Sequence, residues 1–291
     1  MGILRVAIAL VAVVGCGAPA PPQVPKDVAH DQDFIASSQR LRATLARDGI
    51  VLDTQPVIRT CDEPSRSREC ARCDVVTVLD DIDPELVDDM ALAFARYTSS
   101  MRKAARLEHV AFCRAITYER GPDHGPAGLA DPNTHRVYIS VEYFRGEGRG
   151  SSIEATVHHE VFHLLDFAVL GARDDGDSEW SKLNPIPYRD PTDRTERPPG
   201  FVNAYALTNE VEDRATTFAA LMVRPDDLCA IADQDPVVAR KVRLVWQRVS
   251  RIEGANRLGV TAPCALHPSK AKPKSKQPKR PLNLRLSAGS R

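Results

Sequence analysis

The sequence predicts an α+β fold. Short β-branched or aromatic runs are each followed by helical segments, without the regular strand–helix alternation of a parallel α/β sheet. Two long stretches, one from Ser152 to Leu170 and one from Ala206 to Val223, contain no Gly or Pro and read as helices. With 43% apolar and 27% charged residues in 291, the chain can bury an ordinary globular core.

Taken in order, a polar, Pro-rich stretch runs to about Ala29, and Phe34, Ile35, Leu41 and Leu45 then recur at helical spacing between Asp31 and Asp48, with Gly49 as a stop. Val51 to Asp74 reads as a Cys-containing loop with short extended pieces, and Val75 to Leu79 as a strand. A helix opens at Asp83 as N-cap and Pro84 at its first position, with Leu86, Met90, Phe94 and Tyr97 on its apolar face, and is expected to run to about Leu107. His109 to Tyr118 is a strand, and a Gly/Pro-rich loop from Gly121 to Pro132 leads to a second, Thr134 to Phe144. Ser152 caps the next helix. Asp174 to Gly200, with five prolines, reads as a functional cover or surface insertion whose Trp180, Leu183, Asn184 and Tyr188 shape a cleft. Helices follow over Ala206–Val223 and from Asp235 or Pro236 to about Glu253.

The two ends stand apart. Residues 1–15 hold one Arg and then an uncharged run from Val6 to Gly15, too short to span a bilayer, so they read as an export signal. Val13, Val14 and Gly15 before Cys16 resemble the lipobox of bacterial lipoproteins. That resemblance implies acylation of Cys16, residues 16–30 as a flexible tether, and an exported protein lipid-anchored to the bacterial cell envelope. The folded domain is then 31–266 with a Cys-stapled N-terminal part, and 267–291 is a disordered basic tail. From Pro268 onward lie eight of the 39 basic residues and no acid, so the rest of the chain is net acidic by about eight charges. A specific nucleic-acid partner is not expected. Besides Cys16 there are six cysteines, at 61, 70, 73, 113, 229 and 264, an even count that in an exported chain favours disulfides over a redox or zinc role for the Cys70/Cys73 pair. Cys229 with Cys264, which bracket the last helix, is the best single pairing.

Chemistry concentrates in the run from Glu154 to Phe167, EATVHHEVFHLLDF. His159, Glu160 and His163 form an HExxH pattern on a helix, so the two imidazoles lie one turn apart and can converge on one metal ion. Glu160 points about 100° away, where a carboxylate can accept a proton instead of binding metal. His158 has Phe162 four residues on and is excluded from the pair; it is expected to pack beside the site or hydrogen-bond locally, with support of a ligand from behind as the alternative. A third ligand is needed. The spaced Gly and His of metzincins would fall at Asp166 and Val169, which excludes that class. Asp166 is placed to orient a ligand, and Asp166, Asp174 and Asp175 are the fallback ligands should Glu212 not serve. On the Ala206–Val223 helix the apolar stripe Val211, Ala215, Phe218 and Met222 defines the buried face; Glu212 borders it, as a ligand or as a capping-box partner of Asn209, and Glu210 lies opposite.

Gly200 to Val223, GFVNAYALTNEVEDRATTFAALMV, together with the upstream HExxH, resembles the metallopeptidase domain of the anthrax lethal factor family, a gluzincin group. The resemblance implies a zincin-like fold, a small mixed sheet packed on the active-site helix with further helices C-terminal. It also implies Zn2+ held by His159, His163 and Glu212, Glu160 as general base, Tyr205 at the oxyanion, and a protein or peptide substrate. Phe162, where the family often has Gly, and Thr216, where it often has an acid, depart from the pattern. Thr134–Phe144 is then either an edge strand along which an extended substrate pairs or a plain core strand. The alternative is a non-catalytic, metal-containing cell-envelope binding lipoprotein.

Overall fold

The computed structural model describes residues 26–61, 70–77, 79–118, 125–145, 152–170, 178–193 and 195–260. The leader, Cys16 and the basic tail lie outside them, as do Asp174, Asp175 and Cys264. Among the described residues no helix is long and apolar enough to cross a membrane.

The protein is a mixed α/β structure built on one small mixed sheet. Its strands are β1 (Val51–Leu52), β2 (Val57–Cys61), β3 (Cys70–Val75), β4 (His109–Tyr118), β5 (Gly128–Asp131) and β6 (Arg136–Ser140), in the order β2-β3-β4-β6-β5 with β1 beside β4. β4 runs antiparallel to β3 and parallel to β6 and β1, and β5 closes the far edge antiparallel to β6. Alternation sorts the side chains. Val110, Phe112, Val137 and Ile139 face the main core, whereas Ala111, Cys113 and Tyr138 face a second cluster with Ala71, Cys73 and Val75. That second face is closed by the sheet itself, which curls until Thr60 on β2 donates a 2.5 Å hydrogen bond to Asp131 on β5.

The helices cover the first face. These are α1 (Lys26–Ala46), α2 (Pro84–Ala95), α3 (Ser99–Ala104), α4 (Ile153–Leu165), α5 (Ser178–Ser181), α6 (Glu210–Val223), α7 (Pro225–Gln234) and α8 (Pro236–Val249). Side chains of α1, α2, α4, α6 and α8 share one core with the sheet, including Leu41, Phe94, Val161, Phe218 and Val245. Helix α6 is the centre: every residue from Asp213 to Met222 is buried.

Several boundaries differ from expectation for identifiable reasons. The first helix starts at Lys26, inside the expected tether. The strand expected at Val75–Leu79 lies at Cys70–Val75, because Ala71, Cys73 and Val75 alternate inward and Cys73 counts as apolar; Leu79 begins a 3-10 turn instead. The long helix after Asp83 breaks, and Thr98 caps α3 by accepting a 3.3 Å bond from the Met101 amide. Thr134–Phe144 is strand only over β6, which lies between β4 and β5 and is not an edge; the edge strand is β5, inside the stretch expected to be loop. The helix expected to reach Leu170 is α-helical to Leu165 and a π turn over Asp166–Leu170. Its C-terminal neighbour opens at Glu210, not Ala206, and α7 fills the gap before α8.

Four of the described cysteines are joined in disulfides. Cys73 bonds Cys113 across β3 and β4, and Cys70 and Cys229 are also disulfide-bonded, so the Cys70/Cys73 pair is neither a redox motif nor half a zinc site.

Candidate metal centre

Ser152 starts α4 by accepting a 3.1 Å bond from the Ala155 amide, and the helix then buries Val157, Val161, Phe162, Leu164 and Leu165 in the core. With those positions inward, His159 and His163 project toward α6. Helix α6 is opened by Asn209, whose side chain accepts a 2.9 Å bond from the Glu212 amide. The cap therefore uses the Glu212 backbone, while its carboxylate turns to His159 instead of back to the Asn209 amide, so only half of the expected capping box forms.

His159 Nε2 lies 2.8 Å from Glu212 Oε2 and 3.0 Å from His163 Nε2, and His163 Nε2 is 3.6 Å from the same oxygen. These are the ligand atoms of a metal-capable group, and no other such group occurs among the described residues. The fit is good: tetrahedral ligands about 2.05 Å from a zinc ion are separated by roughly 3.3 Å. Two neutral imidazoles and a carboxylate are also the donor set such an ion takes. Burial pushes the Glu212 carboxyl up, but His163 and His159 outweigh it and hold it well below the ordinary carboxylate range.

Glu160 is buried beside this group without joining it. Burial pushes its carboxyl up to about 8, against a lowering by His159 and with a further push from Glu212. A base with a value near neutrality suits proton transfer. The edge strand β5 passes against it: a β-carbon at Gly128 would stand 2.7 Å from both Cγ and Oε1 of Glu160. Tyr205 opens a 3-10 turn just before α6, its ring 5.9 Å from that of His159 and its hydroxyl donating to Glu212. Tyr205 is 44% exposed, yet the protein around its hydroxyl removes enough water, with Glu212 and Glu160 adding to it, to push this phenol up. It stays a proton donor at neutral pH.

The remaining expected residues have other partners. His158 is fully buried, with Nδ1 2.8 Å from the Tyr97 hydroxyl and Nε2 3.6 Å from Glu154. Asp166 pairs with Arg214 Nε at 2.7 Å, and its Oδ1 makes no hydrogen bond to a ligand. Phe162 stacks on Phe218, ring centroids 4.7 Å apart, filling the space between α4 and α6. Thr216 is buried one turn beyond Glu212. Glu210, expected on the open side of its helix, is 6% exposed and ion-paired to Arg214, because the segment from Ser178 to Leu207 covers that side. Within that segment Trp180 belongs to the core and not to a cleft: it is fully buried and donates a 2.8 Å bond to Asp213, which also accepts from Tyr188 (2.9 Å) and Lys241 (2.6 Å), whereas the described residues from Ser181 to Pro199 are exposed or half-buried, as a surface insertion would be.

No family model and no curated protein matches the chain. One solved structure does, that of a candidate zinc-binding metallopeptidase from Bacteroides caccae. It is 14% identical, with a TM-score of 0.42 over 82% of this chain and 92% of that one. A likeness of that size decides neither fold nor chemistry, which rest on the geometry above.

Gly128, Arg214 and the Asp213–Lys241 pair were not evident as site-supporting residues in the sequence. The i,i+4 spacing of Glu210 and Arg214 was a visible signal for one of them.

Proposed function

We propose that the protein is a zinc-dependent endopeptidase of zincin-like fold, lethal factor-like in its ligand set, with His159, His163 and Glu212 holding Zn2+. The observation that carries the reading is the convergence of His159 Nε2, His163 Nε2 and Glu212 Oε2 from two separate helices onto one point, with Glu160 buried beside it. Bound there, zinc would polarise a substrate carbonyl and lower the pKa of a water toward about 7. Glu160 accepts the proton of the attacking water and returns it to the departing amine. Tyr205, held protonated, donates a hydrogen bond to the carbonyl oxygen as charge builds on it. The small sheet lying along α4, with β5 as its edge, agrees with a zincin-like architecture. The short apolar leader and the small residues before Cys16 support an exported protein lipid-anchored to the cell envelope.

The test is Glu160→Gln. The variant is expected to retain zinc stoichiometry and to lose chelator-sensitive cleavage of a peptide library by at least about 100-fold, the scale of a lost general base. Cleavage equal to wild type rules out the role of Glu160. A wild-type protein that binds zinc but cleaves no peptide is the non-catalytic envelope protein instead.

A further inference from the structure

The two helices that carry the candidate ligands are tied together by a buried ionic bridge. Arg214 on α6 donates from Nε to Asp166 Oδ2 at 2.7 Å and from Nη1 to Glu210 Oε1, and Glu210 in turn accepts from Ser181 Oγ. Asp166 is fully buried, Arg214 1% exposed and Glu210 6%. Burial of Asp166 raises its carboxyl, opposed by Arg214 and more weakly by His163 and Arg248, so the bridge lies within the electrostatic reach of a ligand. Its position is what matters. Asp166 follows His163 by three residues and Arg214 follows Glu212 by two, which at 1.5 Å per residue is about 4.5 Å and about 3 Å along the respective axes.

Apolar contacts between α4 and α6, such as Phe162 on Phe218, hold the helices close but do not fix their sliding or rotation. A planar guanidinium that Glu210 fixes one turn away on its own helix and that donates across to Asp166 does, and removing it leaves the fully buried Asp166 carboxylate without its paired cation. We propose that the Asp166–Arg214–Glu210 bridge sets the register of α6 against α4, and through it the separation of Glu212 from the two histidines and the affinity for metal. Arg214 is thus a positioning residue for the metal centre. This inference rests on the metal reading given under Proposed function.

The experiment measures zinc affinity by competition with a chromophoric chelator, and the visible spectrum of the Co2+-loaded protein, for full-length wild type, the neutral triple variant D166N/E210Q/R214M, and R214K. A T134V control, weakened at the sheet on a distant hydrogen bond, separates lost stability from lost register. The triple variant is expected to bind zinc about 10- to 100-fold more weakly and to show a shifted cobalt spectrum, the scale seen when groups behind metal ligands are removed. T134V keeps wild-type affinity. A folded triple variant with zinc affinity within twofold of wild type and an unchanged cobalt spectrum overturns the proposal. Should the triple variant not fold, R214K decides: it keeps the charge but loses the fork, and unchanged affinity overturns the proposal equally. Wild-type protein that binds no zinc overturns the metal reading itself, a different failure from wild-type binding that the variants leave untouched.

Discussion

Gly128→Ala tests the proposed base, Glu160, separately from the proposed metal ligands. The glycine lies on edge strand β5 with a backbone conformation open to any L residue, since it is not among the glycines of positive φ. The new methyl group meets three atoms at 2.7 Å, Glu160 Cγ, Glu160 Oε1 and Thr156 Cγ2, where ordinary contact begins at 3.4 Å. The deficit is about 0.7 Å, and Glu160, a side chain on a packed helix, is the most movable of the three. None of the three nearest atoms belongs to His159, His163 or Glu212.

A shift of about 1 Å in a reacting group can cost on the order of 100-fold in rate, so a loss in kcat of roughly 10- to 100-fold is expected. Zinc affinity should stay within twofold. The assay is steady-state cleavage of a fluorogenic peptide selected from the library, with zinc titrated in parallel. KM should change little, because the displaced group acts on the proton and not on substrate binding. Wild-type kcat in G128A refutes the reasoning. So does a loss of activity that tracks a loss of zinc, which would mean that the strand, and not the base, had moved.

Other expectations follow from the same geometry. Glu212→Ala removes the only carboxylate of the ligand group, and zinc content after dialysis, measured by atomic absorption, should fall well below one per chain; full retention would exclude Glu212 as a ligand. Lys241→Met leaves the fully buried Asp213 without its cation, although Trp180 and Tyr188 still donate to it, so urea unfolding should show a loss of about 3 kcal/mol, the lower end for a broken buried pair. The D213N/K241M double variant should recover part of that loss. For Asp131, desolvation pushes the carboxyl up, but hydrogen bonds from Thr60, the Thr134 side chain and the amides of Asn133 and Thr134 outweigh it and hold it below its ordinary value. A lowered folded-state value gives stability that is present above the unfolded value, about 3.9, and lost as pH falls through the folded one. The stability gap between wild type and Thr134→Val should therefore be widest near pH 7 and narrow below about pH 4.

What the sequence disclosed was local. Helical spacing alone paired His159 with His163 and set His158 aside, and cap chemistry placed Ser152 and Asp83 correctly because each involves residues within one turn. The errors arose where a residue's environment depends on distant chain. Glu210 was assigned to an open face because an apolar stripe implies one buried side, yet α6 is enclosed on both, by α4 and by the segment carrying Trp180 and Tyr188. Strand β5 was hidden because Gly128 and Ala130 are small where they meet α4. Small size at an edge strand, which lowers strand propensity, is what lets the helix that carries Glu160 come close.

Those two failures have a common physical origin that bears on the site. An HExxH helix supplies two donors and a base by its own periodicity, but a metal centre needs a third donor at a fixed separation and a base held off the metal. Both are properties of how other elements press on α4. The charged residues that a helical wheel would place in solvent, Glu210, Asp213 and Arg214, are buried because they carry that pressure. Arg214, held by Glu210 on its own helix, acts toward α4, and Asp213 with Lys241 toward the segment that ends at Tyr205. Four consecutive or near-consecutive charges at the start of α6 thus divide into one candidate ligand and three fasteners. Substituting the fasteners should perturb metal affinity and the placement of Tyr205 separately, whereas substituting Glu212 should remove the proposed centre outright.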